Sequence, residues 1–307
     1  MDVSVIIVNY NTKELLRNCI QSVIEKTHDI QYEIIVVDNA SIDGSSEMVE
    51  SLFPTVKLIA EKNNLGFGRA NNLAAEIAKG TYLFLLNSDT LLLNNAVKTL
   101  AYFLNQNSNA GICGGQLFNQ NLSLATSFQK LPSLIAEWKV CFAPFLLQKK
   151  QPVYSSPAKV GFISGADLMI RKTLFDQLHG FDPHFFLYFE ETELTYRVKT
   201  LNYSVWVVPE AEIIHLGEQS GEPDAQKIDK WTFAETWYSR FLYAHKTSGF
   251  RNSNWIFRIH TFKGILAQSL FQLTGNQAKK TYWKKKNDLI RIQYRRYLNW
   301  KNTKHLK

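Results

Sequence analysis

The chain has 307 residues, 45% of them hydrophobic and 20% charged, which is material for one large or two smaller cores and unlike a disordered chain. Its formal net charge of +8 is uneven: residues 279–307 hold eleven Lys or Arg against one acid, Asp288, whereas residues 1–278 net −2. A basic stripe through the body would indicate nucleic acid; basicity confined to one end argues against that partner and for an appended surface contact.

In chain order, the first apolar run spans Val3 to Val8 and reaches Asn9. With no basic region ahead of it, it reads as a buried strand and not as a signal peptide. Thr12 to Glu25 places Leu15, Leu16, Cys19, Ile20, Val23 and Ile24 at helical spacing, with Thr12 as the expected N-cap. Glu33 to Asp38 is a second strand ending in a carboxylate, followed by the cap-rich turn 39–45 and a short helix to about Leu52. Val56–Ala60 is a third strand, 63–68 a loop, and Arg69–Ala78 a helix. The run Tyr82-Leu83-Phe84-Leu85-Leu86 then stops at Asn87-Ser88-Asp89, reading as a strand buried on both faces. Asp89 either caps a following helix or stands at the carboxyl end of a strand, where open α/β sheets bind ligands.

This alternation of strands and helices with short connections calls for a parallel sheet covered on both faces. The turn after the first strand, Asn9-Tyr10-Asn11-Thr12, has no glycine, and GxxxxGK[ST] is absent. A nucleotide binder of this kind must hold its phosphates without either glycine-rich loop, and a carboxylate-bound metal is the obvious means. A helix over Asn94–Leu104 and a strand near Gly111–Phe118 continue the pattern. Residues 119–157, with four of the eight prolines, break it and read as an excursion with some helix.

Gly161 to Arg171 reads as a loop feeding a strand, and Lys172–Leu178 as a short helix closed by His179-Gly180. The stretch Phe185-Phe186-Leu187-Tyr188-Phe189 then runs into Glu190-Glu191. Glu193 suits a helix N-terminus and Arg197 a structural partner for it. An apolar approach to Glu190 and Glu191 points instead to a partly buried, functional carboxylate pair. His215 ends the apolar stretch 205–214 and is a candidate metal ligand beside an acidic site. Cys19, Cys113 and Cys141 have no CxxC spacing, which suits a reducing compartment. No apolar window reaches the length of a transmembrane helix.

Taken together, VSVIIVNYN, EIIVVDNASIDGS, NNLGFGRANN, LFLLNSD, GADLMIR and GFDPHFFLYFEETELTYR resemble inverting glycosyltransferases of family 2. The closest look is to rhamnosyltransferase-type members of bacterial surface-polysaccharide pathways. The resemblance covers residues 1–216. It implies the α/β GT-A fold: a mixed, mainly parallel sheet flanked by helices, with a nucleotide-sugar half over 1–118 and an acceptor half over 158–216. Residues 217–307 fall outside it as a helical, basic extension. By resemblance, Asp38 accepts from the N3–H of a uracil or thymine base. Asn9, Tyr10 and Asn11 line the nucleoside pocket, joined by Asn64 and Asn71. Asn87, Ser88 and Asp89 occupy the family's DxD position, with Asn87 departing from it. Asp89 and His215 would hold Mn²⁺ or Mg²⁺. Glu191 stands at the catalytic base, where Asp is commoner; Glu190 is the alternative base or, with Gly165 and Asp167, contacts the acceptor.

The resemblance thus implies transfer of a sugar, rhamnose from dTDP-rhamnose in the favoured reading, from a dTDP- or UDP-sugar to a hydroxyl of a polyprenyl-linked cell-surface glycan. The alternative is a non-catalytic nucleotide-sugar or glycan-binding protein on the same fold. A nucleotidyltransferase is disfavoured, since no Gly- and Lys-rich loop follows the first strand. In the extension, Phe233, Trp237, Phe241 and Tyr243 or Ala244 form one helical stripe, and Trp255, Ile259, Phe262, Leu266, Leu270 and Leu273 a second. Such stripes either pack on the body or lie on a membrane, with the basic C-terminus drawn to anionic lipid. The expected location is cytoplasmic, peripheral on the inner face of the bacterial inner membrane.

Overall fold

The unbroken apolar runs become strands because helices cover both faces of the sheet they build. The computed structural model describes residues 1–144, 152–217 and 230–304. Part of the excursion (145–151), the start of the extension (218–229) and the last basic residues (305–307) lie outside the described residues. The first half runs β1 (Val3–Asn9), α1 (Lys13–Lys26), β2 (Tyr32–Asn39), α2 (Ser45–Leu52), β3 (Lys57–Glu61), α3 (Phe67–Ile77) and β4 (Tyr82–Asn87). It continues through β5 (Thr90–Leu92), α4 (Ala96–Gln106), β6 (Ala110–Phe118), β7 (Phe128–Gln129) and α5 (Leu134–Phe142). Then come β8 (Ala158–Lys159), β9 (Phe162–Ile163), β10 (Asp167–Arg171), α6 (Lys172–Gln177), α7 (Glu190–Thr200) and β11 (Ser204–His215). Three long helices close the chain: α8 (Lys230–Ser248), α9 (Phe250–Leu273) and α10 (Gln277–Lys304).

Among the described residues nine strands form one mixed sheet, in the order β3-β2-β1-β4-β10-β6-β11-β5, with β8 paired to β11. Four ladders are parallel: β1 with β2 and β4, β2 with β3, and β6 with β11. Side chains alternate across the sheet as strand geometry requires. Val5, Ile7, Val36, Phe84 and Leu86 pack with α1, α2 and α4 on one face. Ile6, Ile35, Val37, Leu83 and Leu85 pack with α3, α6 and α7 on the other.

Strand β10 makes the sheet mixed, as expected, lying antiparallel between β4 and β6. Because β6 ends at the carboxyl edge of the sheet and β10 starts from it, no crossover is needed and the direction reverses. The start of β10 is thereby delivered to the same edge as the ends of β1 and β4. A departure follows Asp89: the next element is the three-residue β5, antiparallel to the end of β11, so Asp89 caps no helix.

The described residues group into two compact units. One lies within Met1–Leu131, Pro152–Phe186 and Glu190–Gln219, the other within Pro132–Gln151, Leu187–Phe189 and Ser220–Lys307. The second unit is helical, built from α5, α8, α9 and α10. The α8 stripe is its core: Trp237, Phe241, Tyr243 and Ala244 are buried, and Phe241 packs edge-on against Tyr294 of α10 at 5.1 Å. The α9 stripe is placed differently. Its buried residues are Ser253, Ile256, Thr261 and Gly264, and the apolar stripe is turned outward. Gly264 explains why, since a Cβ there would lie 2.0 Å from the Asn287 side chain of α10. The two helices approach on small and polar residues, with the Asn287 amide donating to the Thr261 carbonyl (3.2 Å).

Candidate active site

Strand order reverses at the β1–β4 boundary: β2 and β3 extend to one side of β1, and β4 lies on the other. The crevice at the carboxyl ends of such a pair is where open α/β sheets bind ligands. Register puts Asn9 beside Asp38 and Val8 beside Asn87, so three of the expected residues meet at that edge.

Asp38 is buried (3% exposed) and held by several donors. Its Oδ1 accepts from the Asn9 amide (3.0 Å) and the Ser41 hydroxyl, and its Oδ2 from the Ser46 hydroxyl (2.6 Å). A carboxylate offers about four lone-pair sites, so a further donor can still be accepted. Asn9 in turn accepts from the Thr12 hydroxyl (2.6 Å), which also touches the Ser88 hydroxyl at 3.0 Å. Thr12 does occupy the N-cap position of α1, yet its side chain caps no N–H; it joins the β1 and β4 turns instead. Ser41, Ser46 and Thr12 were not singled out by the sequence as site residues. The signal available was a cluster of hydroxyls at two strand-to-helix junctions, Ser46 falling in the first turn of α2.

The other nucleoside-side residues divide by role. Asn11, with φ 54°, clamps the loop after β2: its N–H donates to Ser41 Oγ and its Oδ1 accepts from Ile42 N–H, both at 2.9 Å. Tyr10 is exposed. Asn64 accepts from the Asn39 amide at 2.9 Å, tying the β3–α3 loop to the end of β2. Asn71 is buried and donates to the Phe67 carbonyl one turn back, so it is used inside α3.

At the end of β4 the Asn87 N–H donates to the Ala166 carbonyl (3.0 Å), and the Asn87 carbonyl accepts from the Thr90 hydroxyl (2.8 Å). Cys19 lies beneath this turn, 3.5 Å from the same carbonyl, with its thiol pushed up to about 12 by burial. The β5–β11 pairing sets His215 opposite Thr90. It brings His215 Nε2 to 3.2 Å from Asp89 Oδ1, with the two side chains 26% and 20% exposed. Among the described residues no three His, Cys, Asp or Glu side chains gather into a metal site. An accessible oxygen and nitrogen side by side suit a divalent cation that draws its other ligands from phosphate and water.

Glu190, Glu191 and Glu193 crowd the first turn of α7. Glu193 is taken by Arg197, at 2.7 Å, whose guanidinium also donates to the Leu178 and Gly180 carbonyls, the structural pairing expected. Glu190 is 4% exposed, one carboxylate oxygen has no partner among the described residues, and its Cβ lies 3.7 Å from where a Cβ on Gly68 would stand. Burial, then the neighbouring Glu191, raises its pKa well above the ordinary range. Glu191 is half-buried and also raised by burial. Its Cγ lies 3.7 Å from the Cβ position of Gly165, one residue from the carbonyl that binds Asn87 N–H. Tyr188 and Phe189, leading into α7, both have positive φ (68° and 69°), a costly backbone for aromatic residues that concentrates at functional sites. Gly66 fixes the facing loop: at φ 82°, a Cβ there would lie 2.2 Å from the Phe186 carbonyl oxygen.

Asp167, expected on the acceptor side, is fully buried in β10, where its Oδ2 accepts from Gly115 N–H (2.6 Å) and its Oδ1 has no partner among the described residues. Burial raises its pKa well above the carboxylate range. The folded state therefore binds a proton the unfolded chain releases, and stability falls as pH rises from the unfolded pKa through the raised folded one. Asp167→Asn keeps an acceptor for Gly115 and is expected to flatten that decline in urea melts at acid and alkaline pH. Asp167→Ala orphans the Gly115 N–H and is expected to lose about 1–3 kcal/mol at either pH.

Solved structures similar to this chain include glycosyltransferases of the GT-A class. GalNAc-T7 with UDP, GalNAc and Mn²⁺ superposes with a TM-score of 0.60 at 17% identity, over 80% of this chain and 48% of that one. The mannosyltransferase PcManGT from Pyrobaculum calidifontis, with GDP-Man and Mn²⁺, gives 0.55 at 15% identity, over 96% and 86%. At these identities the likeness speaks for the fold. A model of glycosyl transferase family 2 matches residues 4–189, and the chain belongs to that family. Its relatives include the N-acetylglucosaminyl-diphospho-decaprenol L-rhamnosyltransferase of Mycobacterium tuberculosis, 25% identical over 59% of this chain and 66% of that protein. Another is glycosyltransferase GlyG of Streptococcus pneumoniae, 26% identical over 58% and 59%. The β-1,3-glucosyltransferase WfaP of Escherichia coli, named for UDP-Glc and α-D-GlcNAc-diphosphoundecaprenol, is 31% identical over 33% and 41%. The matched region spans less than two thirds of each of these three relatives.

Proposed function

We propose that this protein is a metal-dependent inverting glycosyltransferase that moves a sugar, rhamnose from dTDP-rhamnose, to a hydroxyl of a lipid-linked cell-surface glycan. The observation that carries the reading is convergence at one sheet edge. Asp38, the Asp89–His215 pair at 3.2 Å and the Gly165 loop beside Glu191 are linked through Asn9, Thr12, Ser88 and Asn87. The names of the mycobacterial and Escherichia coli relatives, both containing polyprenyl diphosphates, support the acceptor class, and the former supports the sugar.

Asp38, pre-oriented by three donors, accepts from the N3–H of the thymine or uracil base. Asp89 and His215 would hold a Mn²⁺ or Mg²⁺ ion, which would supply positive charge against that developing on the leaving diphosphate. Glu191 takes the proton of the acceptor hydroxyl as its oxygen bonds to the anomeric carbon and the bond to the diphosphate breaks on the opposite face. No covalent enzyme intermediate is needed. Glu191 is favoured over Glu190 because it is the more accessible of the pair, while Glu190 is sealed against α3.

The test is nucleoside diphosphate release from dTDP-, UDP- and GDP-sugars with Mn²⁺, with and without a GlcNAc-diphospho-lipid. The expected result is acceptor-stimulated release from dTDP-rhamnose. Donor binding without release from any sugar would replace this reading with that of a binding protein.

A further inference from the structure

Two helices of the second unit wear their apolar residues on the outside. On α9, Trp255, Phe262, Ile265, Leu266, Leu270 and Leu273 are each 46–86% exposed. On α5 the one acid, Glu137, is buried against Arg240 (2.9 Å) and His260 (2.8 Å), whereas Ile135, Trp138 and Val140 are 44–70% exposed. The two helices pack together, with Phe142 6.2 Å from Phe262. Trp138, Phe142, Trp255, Arg258, Ile259 and Phe262 line a groove between them. An exposed apolar face of this extent marks an interaction surface.

Charge decides what covers it. Helix α9 contains no Asp or Glu, and the single acid of α5 points inward. The charges beside the face are cations: Arg258 lies over the Trp255 ring (5.5 Å), Lys263 Nζ reaches the Val140 carbonyl (3.3 Å), and Lys279 lies over Phe271 (5.3 Å). Helix α10 adds nine more Lys or Arg against Asp288 alone. Two copies meeting on this face would set one basic rim against the same rim. Tryptophan, phenylalanine and leucine bordered by cations instead complement an anionic bilayer, with the rings at headgroup level and the bases on lipid phosphates. Among the described residues no helix is long and apolar enough to cross a membrane, so the face would lie on the surface and not span it.

We infer that the outward face of α5 and α9 is a membrane-docking surface that seats in the headgroup–acyl boundary of an anionic lipid bilayer. This deepens the proposed lipid-linked acceptor by naming the surface that meets its membrane. Vesicle binding is read without donor or acceptor lipid, so either reading can fail alone.

The full chain is floated with phosphatidylcholine vesicles, with and without phosphatidylglycerol, while tryptophan quenching by brominated acyl chains is followed. The double variant Trp255→Glu/Leu266→Glu alters side chains already half exposed, so its melting temperature should match that of the parent. The expected result is binding at least about tenfold stronger to the anionic vesicles, with quenching by the brominated chains. The variant should bind those vesicles at least about tenfold more weakly, with unchanged nucleoside diphosphate release on a water-soluble acceptor. Undiminished binding by the variant would overturn the inference, since the basic residues would then suffice. So would absence of vesicle binding, or sedimentation as a dimer that the same two substitutions dissociate.

Discussion

Replacing Glu191 by Gln is expected to slow transfer by about 10²–10⁴-fold, the ordinary worth of a positioned general base, with donor binding unchanged. Glutamine keeps the size and reach of the side chain and removes only the ability to take a proton. The pH profile carries the sharper signature. The base acts as a carboxylate, so kcat/KM rises with pH through its pKa. Burial raises that pKa, which places the acid limb above the ordinary glutamate value of about 4.3. In Glu191→Gln the limb should vanish along with the activity. Glu190→Gln should leave it in place, because burial and the adjacent Glu191 charge already favour a protonated Glu190. A Glu191→Gln enzyme of full activity beside an inactive Glu190→Gln enzyme would exchange the two assignments.

The parts of this fold legible in the sequence are those where one local pattern has one structural meaning. Strands Val3–Asn9, Tyr32–Asn39 and Tyr82–Asn87 carry the apolar runs Val5–Val8, Ile34–Val37 and Tyr82–Leu86 because both faces of the sheet are covered, and each strand ends where the site begins. Strand β5 was illegible: three residues carry no periodicity, and its existence depends on pairing with β11 more than a hundred residues away. That pairing is what sets His215 beside Asp89, so the candidate ligands could be named from the resemblance while their proximity could not be derived. The direction of β10 was hidden for a similar reason, since it depends on the edge at which the chain re-enters the sheet.

The α9 stripe shows a different limit. Spacing identified an amphipathic helix, and a helix it is; periodicity says that one face is apolar and nothing about where that face points. The deciding residues were the small and polar ones, Ser253, Thr261 and Gly264, which let α9 meet its neighbours through hydrogen bonds and close backbone approach. The hydroxyls around Asp38 were missed because serine in a turn ordinarily serves the local backbone. Here Ser41 and Ser46 serve a carboxylate instead. Glu190 was singled out by its apolar approach and is buried, whereas Asp167 was named only by resemblance and its full burial in β10 had no signal in the sequence.

Asp89→Ala is expected to lower kcat/KM by at least about 10²–10³-fold, the usual penalty for removing one element of charge stabilisation at a leaving group. The diagnostic measurement is donor affinity by calorimetry, with Mn²⁺ and with chelator. In the parent protein Mn²⁺ should tighten donor binding; in Asp89→Ala that enhancement should disappear, leaving the weaker metal-free affinity. His215→Ala should show the same loss to a smaller degree, because a neutral imidazole contributes a donor atom without a negative charge. Asn87→Asp is the informative gain. The Asn87 main chain is anchored on both sides, to Ala166 and Thr90, so the side chain can change without displacing the turn. A carboxylate there would restore the family's first acidic position, and half-activation should fall to a several-fold lower Mn²⁺ concentration as local negative charge increases. If Asp89→Ala weakened donor binding equally with and without Mn²⁺, Asp89 would be contacting the donor itself, and the pairing with His215 would be a structural ion pair at the end of β11.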